Sequence, residues 1–205
     1  MVLVGVTGQT GSGKSTFSEV FQEIGAKLID VDKIGHDLLN EPHVKEKVIN
    51  VFSQQILDEN GMILRERLGE LVFSDTKNRF KLDDIMEEPI IHALESKIIE
   101  IRDDGFPGIV VVDAALLPRW KRMIKFFNYI VLVESPRWQR INRLIENRGL
   151  SQTAAEKRID VLENLYDDFT PNIHYHIKNS GNLAEFRAKV VKVWLDLKNQ
   201  EKNKK

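Results

Sequence analysis

The chain has no cysteine. Disulfide scaffolds, thiol nucleophiles and cysteine-ligated zinc are therefore excluded. It is almost as poor in net charge: 30 Lys and Arg stand against 31 Asp and Glu, a formal −1 at pH 7. No global basic field exists to attract nucleic acid, and no nucleic-acid partner is expected. Long apolar runs are missing as well. The longest, such as Ile109-Val110-Val111-Val112, are strand-sized and far short of a bilayer span. Met1 to Val6 runs straight into glycines, with no basic leader and no small-residue cleavage site. The expectation is a cytoplasmic protein without membrane association.

The 205 residues, 42% hydrophobic and 30% charged, suffice for one domain with a sizeable core, or one domain with a small appended lobe. Apolar strand patterns fall at 2–6, 27–31, 109–113, 129–134 and 173–178. Helical spacing covers 14–24, about 136–147, about 151–166 and about 183–198, leaving a short solvated tail. Strands alternating with helices predict an α/β fold with a five-stranded parallel sheet covered on both faces. One interval breaks the rhythm. Residues 33–107 read as mainly helical, at 44–52, 65–73 and 77–101, too much for one crossover. They predict an inserted helical lobe over the sheet's C-terminal edge.

The sharpest motif is Gly8-Gln9-Thr10-Gly11-Ser12-Gly13-Lys14-Ser15, which satisfies G-x-x-x-x-G-K-[ST] between an apolar strand and an amphipathic helix. Its glycines let successive N–H groups curl toward phosphate oxygens, and the helix N-terminus adds partial positive charge. Gly8, Gly11, Ser12, Gly13, Lys14, Ser15 and Thr16 are the candidate ATP contacts. Lys14 would reach the β- and γ-phosphates, and the Ser15 hydroxyl would hold Mg²⁺. A dinucleotide site fails, because Gly11-x-Gly13-x-x is followed by Thr16 rather than glycine. A GTPase fails for want of Asn-Lys-x-Asp. A small-molecule kinase of the P-loop NTPase type, with a three-layer α/β/α core, fits the length.

Such a kinase needs a group to take the acceptor's proton beyond the strands' C-terminal ends. Asp30 and Asp32 close the second strand pattern and Asp113 the third. Asp32 is the candidate base. Its alternative is to cap a helix beginning at Lys33, and the two roles are compatible. Asp113, after four apolar residues, has the position of a Walker-B aspartate that would support Mg²⁺ through water; its alternative is a loop cap at the strand end. Arg137, Arg140, Arg143 and Arg148 fall in and after the helix following the fourth strand. Arg140, Arg143 and Arg148 span less than half its circumference, an arrangement suited to phosphoryl charge on a closing lid or to a solvated basic face. His174 and His176 are two apart and share a strand face, with no third metal ligand evident; sheet packing is expected. His36 and His43 read as surface residues, and Trp120, Trp138 and Trp194 as packing residues.

With these residues in view, the chain resembles the dephospho-coenzyme A kinase family. Val4 to Gly8 and Lys14 to Phe17 are similar to the family's opening, and Ile24 to His36 carries its Asp-x-Asp motif. Asp58 to Arg65 with Leu68, Val72 and Phe73 resembles its lobe signature, Val112 to Leu117 its third-strand motif, and Asn179-Ser180-Gly181 the loop before its last helix. The likeness spans about 1–195. It implies transfer of the γ-phosphoryl of ATP to the ribose 3′-hydroxyl of dephospho-CoA, with ATP and Mg²⁺ required. It implies a nucleotide core (about 1–32, 108–135 and 170–198), a helical acceptor lobe (about 33–107) and a lid (about 136–169). By motif, Asp32 would be the general base and Lys14 and Ser15 the phosphate and magnesium residues. The likeness also places lid arginines in this region, which makes Arg140 and Arg143, ahead of Arg148, catalytic candidates beside Lys14. Asp32, Arg65 and Asp113 lie on the acceptor side, and Asn179 and Gly181 by the adenine. A monomer or weak homo-oligomer is expected. Three departures stand out. Glu87-Glu88-Pro89 replaces a His-Pro pair, with His92 displaced. Ala115-Leu116-Leu117-Pro118-Arg119 replaces Pro-Leu-Leu-Phe-Glu. A lid-side glutamine is absent where Leu162 or Glu163 stands. A different P-loop kinase, acting on a nucleoside or sugar acid, and a nucleotide-binding paralogue without transfer are the alternative readings.

Overall fold

The computed structural model describes residues 1–161, 163–166, 169 and 173–203. Five strands, β1 (Val2–Thr7), β2 (Lys27–Asp30), β3 (Ile109–Asp113), β4 (Tyr129–Glu134) and β5 (Tyr175–Lys178), form one sheet in the order β2-β3-β1-β4-β5. The β1–β3, β1–β4 and β4–β5 pairings are all parallel. β1 is central, so both its faces are buried, which its unbroken apolar run requires. This is the α/β core that the alternating pattern predicts.

The chain divides into two compact units, one of residues 1–29 and 105–205, the other of residues 30–104. In the first, α1 (Lys14–Glu23) and α8 (Leu183–Asn203) pack on the sheet. Phe17, Phe21, Phe186 and Val190 meet Val4, Val6, Val111 and Val131 there. Phe17 and Phe21 stack at 4.5 Å, and Trp194 meets Phe21 edge-on at 5.4 Å. Helices α6 (Arg137–Arg148) and α7 (Gln152–Asp160) share a smaller core of Leu144, Ala155 and Ile159.

The second unit is helical, as its pattern predicts: α2 (Val31–Leu38), α3 (Pro42–Phe52), α4 (Arg65–Ser74) and α5 (Thr76–Asp103). The 28-residue α5 packs against the other three and runs through Pro89 without ending. Its start is capped by Asp75, which accepts from the Lys77 amide at 2.8 Å.

Several expectations are corrected. The helix expected over 151–166 stops at Asp160, and a 3-10 turn occupies Glu163–Tyr166. Long-range contacts of Glu163 and Tyr166, described below, outweigh helical periodicity there. The last helix continues to Asn203, past the end near 198 expected for it and into the five residues read as a solvated end; residues 204 and 205 lie outside the described residues, as does Leu162. Trp138 is not a packing residue: it is 63% exposed. His174 precedes β5, and its Nδ1 accepts from the Ile130 amide at 3.1 Å. His176 instead pairs with Glu134 at 2.5 Å. His36 and His43 are exposed. Among the described residues, no helix is long and apolar enough to cross a membrane.

Candidate active site

The phosphate loop fills the turn between β1 and α1. Gly8, Gly11 and Gly13 all have positive φ. At Gly8 (φ 154°) a Cβ would lie 2.1 Å from the Val133 carbonyl oxygen, so the loop presses against β4 there. At Gly13 (φ 106°) it would lie 2.4 Å from Asn179 Nδ2. Gly13→Ala is therefore expected to cost about 1–3 kcal/mol of stability by urea denaturation.

Gly13 is also the N-cap of α1, which has no side-chain cap and no acidic residue in its first turn. The first amides of a helix have no intrahelical acceptor, so this end favours an anion. Lys14 is half-buried and Ser15 exposed, and neither side chain pairs with any described residue. The Ser12 hydroxyl is fully buried without a hydrogen-bond partner among them. A cation left at the positive end of a helix opposes folding; the arrangement makes sense for binding a polyanion.

Behind the loop lies a polar clamp. Asn179, 6% exposed, donates from Nδ2 to the Ser12 carbonyl at 2.8 Å. Arg143 donates from one nitrogen to the Gly11 carbonyl at 2.9 Å and to Ser135 Oγ at 3.0 Å. Its other terminal nitrogen reaches Gln139 Oε1 at 3.3 Å. Burial lowers the Arg143 pKa from the usual arginine range. Arg140 is 2% exposed; its Nε donates to the Ser135 carbonyl at 3.1 Å, and a terminal nitrogen meets both Glu163 oxygens at 2.8 and 3.1 Å. The solvated basic face, the alternative for these arginines, is thus not the position of Arg140, and Arg143 is only partly exposed. They lie on the face of α6 that also buries Leu144, where a guanidinium needs partners. Arg148, by contrast, is exposed without a side-chain partner among the described residues. Gly181 lies between β5 and α8, in the loop that Gln139 holds through the Ser180 carbonyl at 2.9 Å. Thr16 is half-buried in the first turn of α1.

Asp113 ends β3, half-buried, and accepts from Ser18 Oγ at 3.4 Å. In the helical unit the capping expectation is corrected. The cap of α2 is Asp30, accepting from the Lys33 amide at 3.0 Å, because the helix begins at Val31 and not at Lys33. Asp32 sits in the first turn, exposed, with no side-chain partner among the described residues. Arg65 is the first residue of α4 and is likewise exposed and unpaired among them. The sequence reading missed Tyr166, whose hydroxyl reaches the phosphate loop across 158 residues of chain.

A parallel sheet with a glycine-rich phosphate cradle between its central strand and first helix defines a P-loop kinase fold. The comparisons narrow this. The model of the dephospho-CoA kinase family (CoaE) matches residues 2–185. Dephospho-CoA kinase of Carboxydothermus hydrogenoformans is 32% identical over 192 residues, covering 93% of this chain and 92% of the relative. That of Aquifex aeolicus is 31% identical over 198 residues, covering 96% and 98%. The solved dephospho-CoA kinase from Campylobacter jejuni shares the fold, with a TM-score of 0.66 at 24% identity, covering 97% of this chain and 98% of that one. The chain belongs to the dephospho-CoA kinase family. It is a kinase of coenzyme A biosynthesis.

Proposed function

We propose that the chain binds ATP through Gly8–Thr16 and transfers its γ-phosphoryl to the ribose 3′-hydroxyl of dephospho-CoA, giving CoA and ADP. The observation that carries this is the uncapped N-terminus of α1, with Lys14 and Ser15 free of described protein partners at an anion-binding helix end. Lys14 draws charge from the β- and γ-phosphates as the bridging oxygen departs with ADP. Asp32 accepts the proton of the attacking hydroxyl, so that the new O–P bond forms as the old one breaks. Support for Asp32 is local: Asp30 does the capping, which leaves the neighbouring carboxylate for chemistry. Arg65 and Asp113 belong to the acceptor side of this reading. Arg140, Arg143, Asn179 and Gly181 belong to the nucleotide side, Arg143 and Asn179 as supports of the loop carbonyls.

Magnesium fits the donor set. Among the described residues no group of three or more His, Asp or Glu could cage a metal. A single hydroxyl at Ser15, with Asp113 reaching the ion only through water and the remaining positions left to substrate phosphates and water, matches the sparse protein ligation magnesium takes in phosphoryl-transfer sites. Bound there, it would neutralise charge on the β- and γ-phosphates.

An acceptor screen tests the assignment. Incubated with ATP and Mg²⁺, the chain is expected to phosphorylate dephospho-CoA and to leave nucleosides and sugar acids untouched, read by product mass. Excess EDTA should reduce product to background. Phosphorylation of a nucleoside but not of dephospho-CoA would replace this reading, and tight ATP binding without any phosphorylated product would leave a binding module.

A further inference from the structure

The turn Glu163–Tyr166 makes contacts with the phosphate loop that the chemistry above does not use. The sheet explains their place. The β1–β3 ladder runs from Val2 opposite Ile109 to Val6 opposite Asp113, and the Ala114 amide then donates to the Val6 carbonyl at 2.9 Å. Beyond that point the two chains part, one into the phosphate loop and the other into 114–120. The Tyr166 hydroxyl sits at the fork. It lies 2.7 Å from the Gly8 carbonyl oxygen and 2.6 Å from that of Ala115, with its proton shared between them. The Gly8 amide donates to it at 3.2 Å, and the Thr7 hydroxyl lies 3.3 Å away. One phenol thus serves as an extra rung between chains that have left the ladder.

Glu163 anchors the same turn. It is bound by Arg140 at 2.8 and 3.1 Å, by Arg137 at 3.7 Å, and by Gln9 Nε2, itself in the phosphate loop, at 3.5 Å. Gly8 is therefore bounded on both sides. The Val133 carbonyl limits it sterically toward β4, and the Tyr166 hydroxyl fixes it by hydrogen bonds toward β3.

We infer that Tyr166 is a positioning residue of the phosphate loop: its hydroxyl sets where Gly8 leaves β1 and hence where the amides of residues 9–15 face. This rests on reading Gly8–Ser15 as the ATP phosphate site. The role is distinct from that of Lys14, because Tyr166 acts on the backbone that carries the cradle.

Tyr166→Phe removes the hydroxyl and keeps the ring. Calorimetric ATP binding and steady-state kinetics on both substrates, wild type against Tyr166→Phe, test the inference. ATP Kd and KM are expected to rise about tenfold, the scale of stranding main-chain polar groups. KM for dephospho-CoA should stay within about twofold and Tm within a few degrees. Unchanged ATP affinity overturns the inference. So does tighter binding, which would make the hydroxyl a competitor of the nucleotide. A wild-type chain that makes no CoA defeats the underlying reading and the inference with it; an active wild type with an indifferent variant defeats only the inference. If Tyr166→Phe does not fold, amide hydrogen exchange on the wild type decides. The Gly8 amide is expected to be protected with and without ATP, and fast exchange in either state contradicts the role.

Discussion

Lys14→Ala is expected to lower kcat by about 10²–10³-fold, the scale for losing one preorganised charge donor to a transition state. ATP binding should weaken with it, because charge-assisted bonds to phosphate are among the stronger ones. Stability is expected to stay level or rise slightly. The ammonium has no described partner, and a cation at a helix N-terminus works against the dipole. The separation is the point of the experiment: a residue retained at a cost to the fold is retained for its ligand. Kinetics, ATP titration and thermal unfolding on one preparation check all three parts. An unchanged rate and ATP affinity would remove Lys14, and the loop with it, from the reaction.

Asp32→Asn is expected to behave differently. ATP affinity should remain within about threefold, whereas kcat falls about 10²–10⁴-fold, the range for general base catalysis. The substitution is nearly isosteric, and the α2 cap is Asp30, so the helix should melt as in the wild type. Lys14→Ala therefore damages both nucleotide capture and turnover, and Asp32→Asn damages turnover alone. Full turnover by Asp32→Asn would exclude proton acceptance at this carboxylate.

What could be read in advance was local. The phosphate loop declares itself because glycine spacing, the preceding apolar strand and the following amphipathic helix all lie within 24 residues. The three inner strands β1, β3 and β4 declare themselves because buried parallel strands are continuous apolar runs, whereas the edge strands β2 and β5 carry charged or polar residues and are only partly buried. The helical unit is legible from its spacing, even through Pro89, because apolar positions such as Met86, Ile90 and Leu94 keep their period across the proline.

What could not be read depends on distant partners. Arg140 and Arg143 have the look of lid arginines, and only the fold shows one held by Glu163 and the other by the carbonyls of Gly11 and Ser12. The absent lid-side glutamine drew attention to position 163, but nothing local says that a glutamate there meets a buried arginine on α6. Tyr166 gave no signal at all, since a single tyrosine in a helical pattern reads as packing. Asp30 and Asp32 show a finer limit. Two carboxylates two residues apart can exchange the roles of cap and base on a shift in where a helix begins, and propensity does not fix helix starts that closely.

Transfer of label from γ-³²P-ATP to dephospho-CoA, with the phosphorylated position assigned by ³¹P NMR, addresses the central chemistry most directly. Label on the ribose 3′-oxygen, formed by the wild type and reduced at least about 100-fold in Lys14→Ala, is the predicted result. Label released only as inorganic phosphate, or carried to another oxygen, or transferred equally well without the lysine, would contradict it.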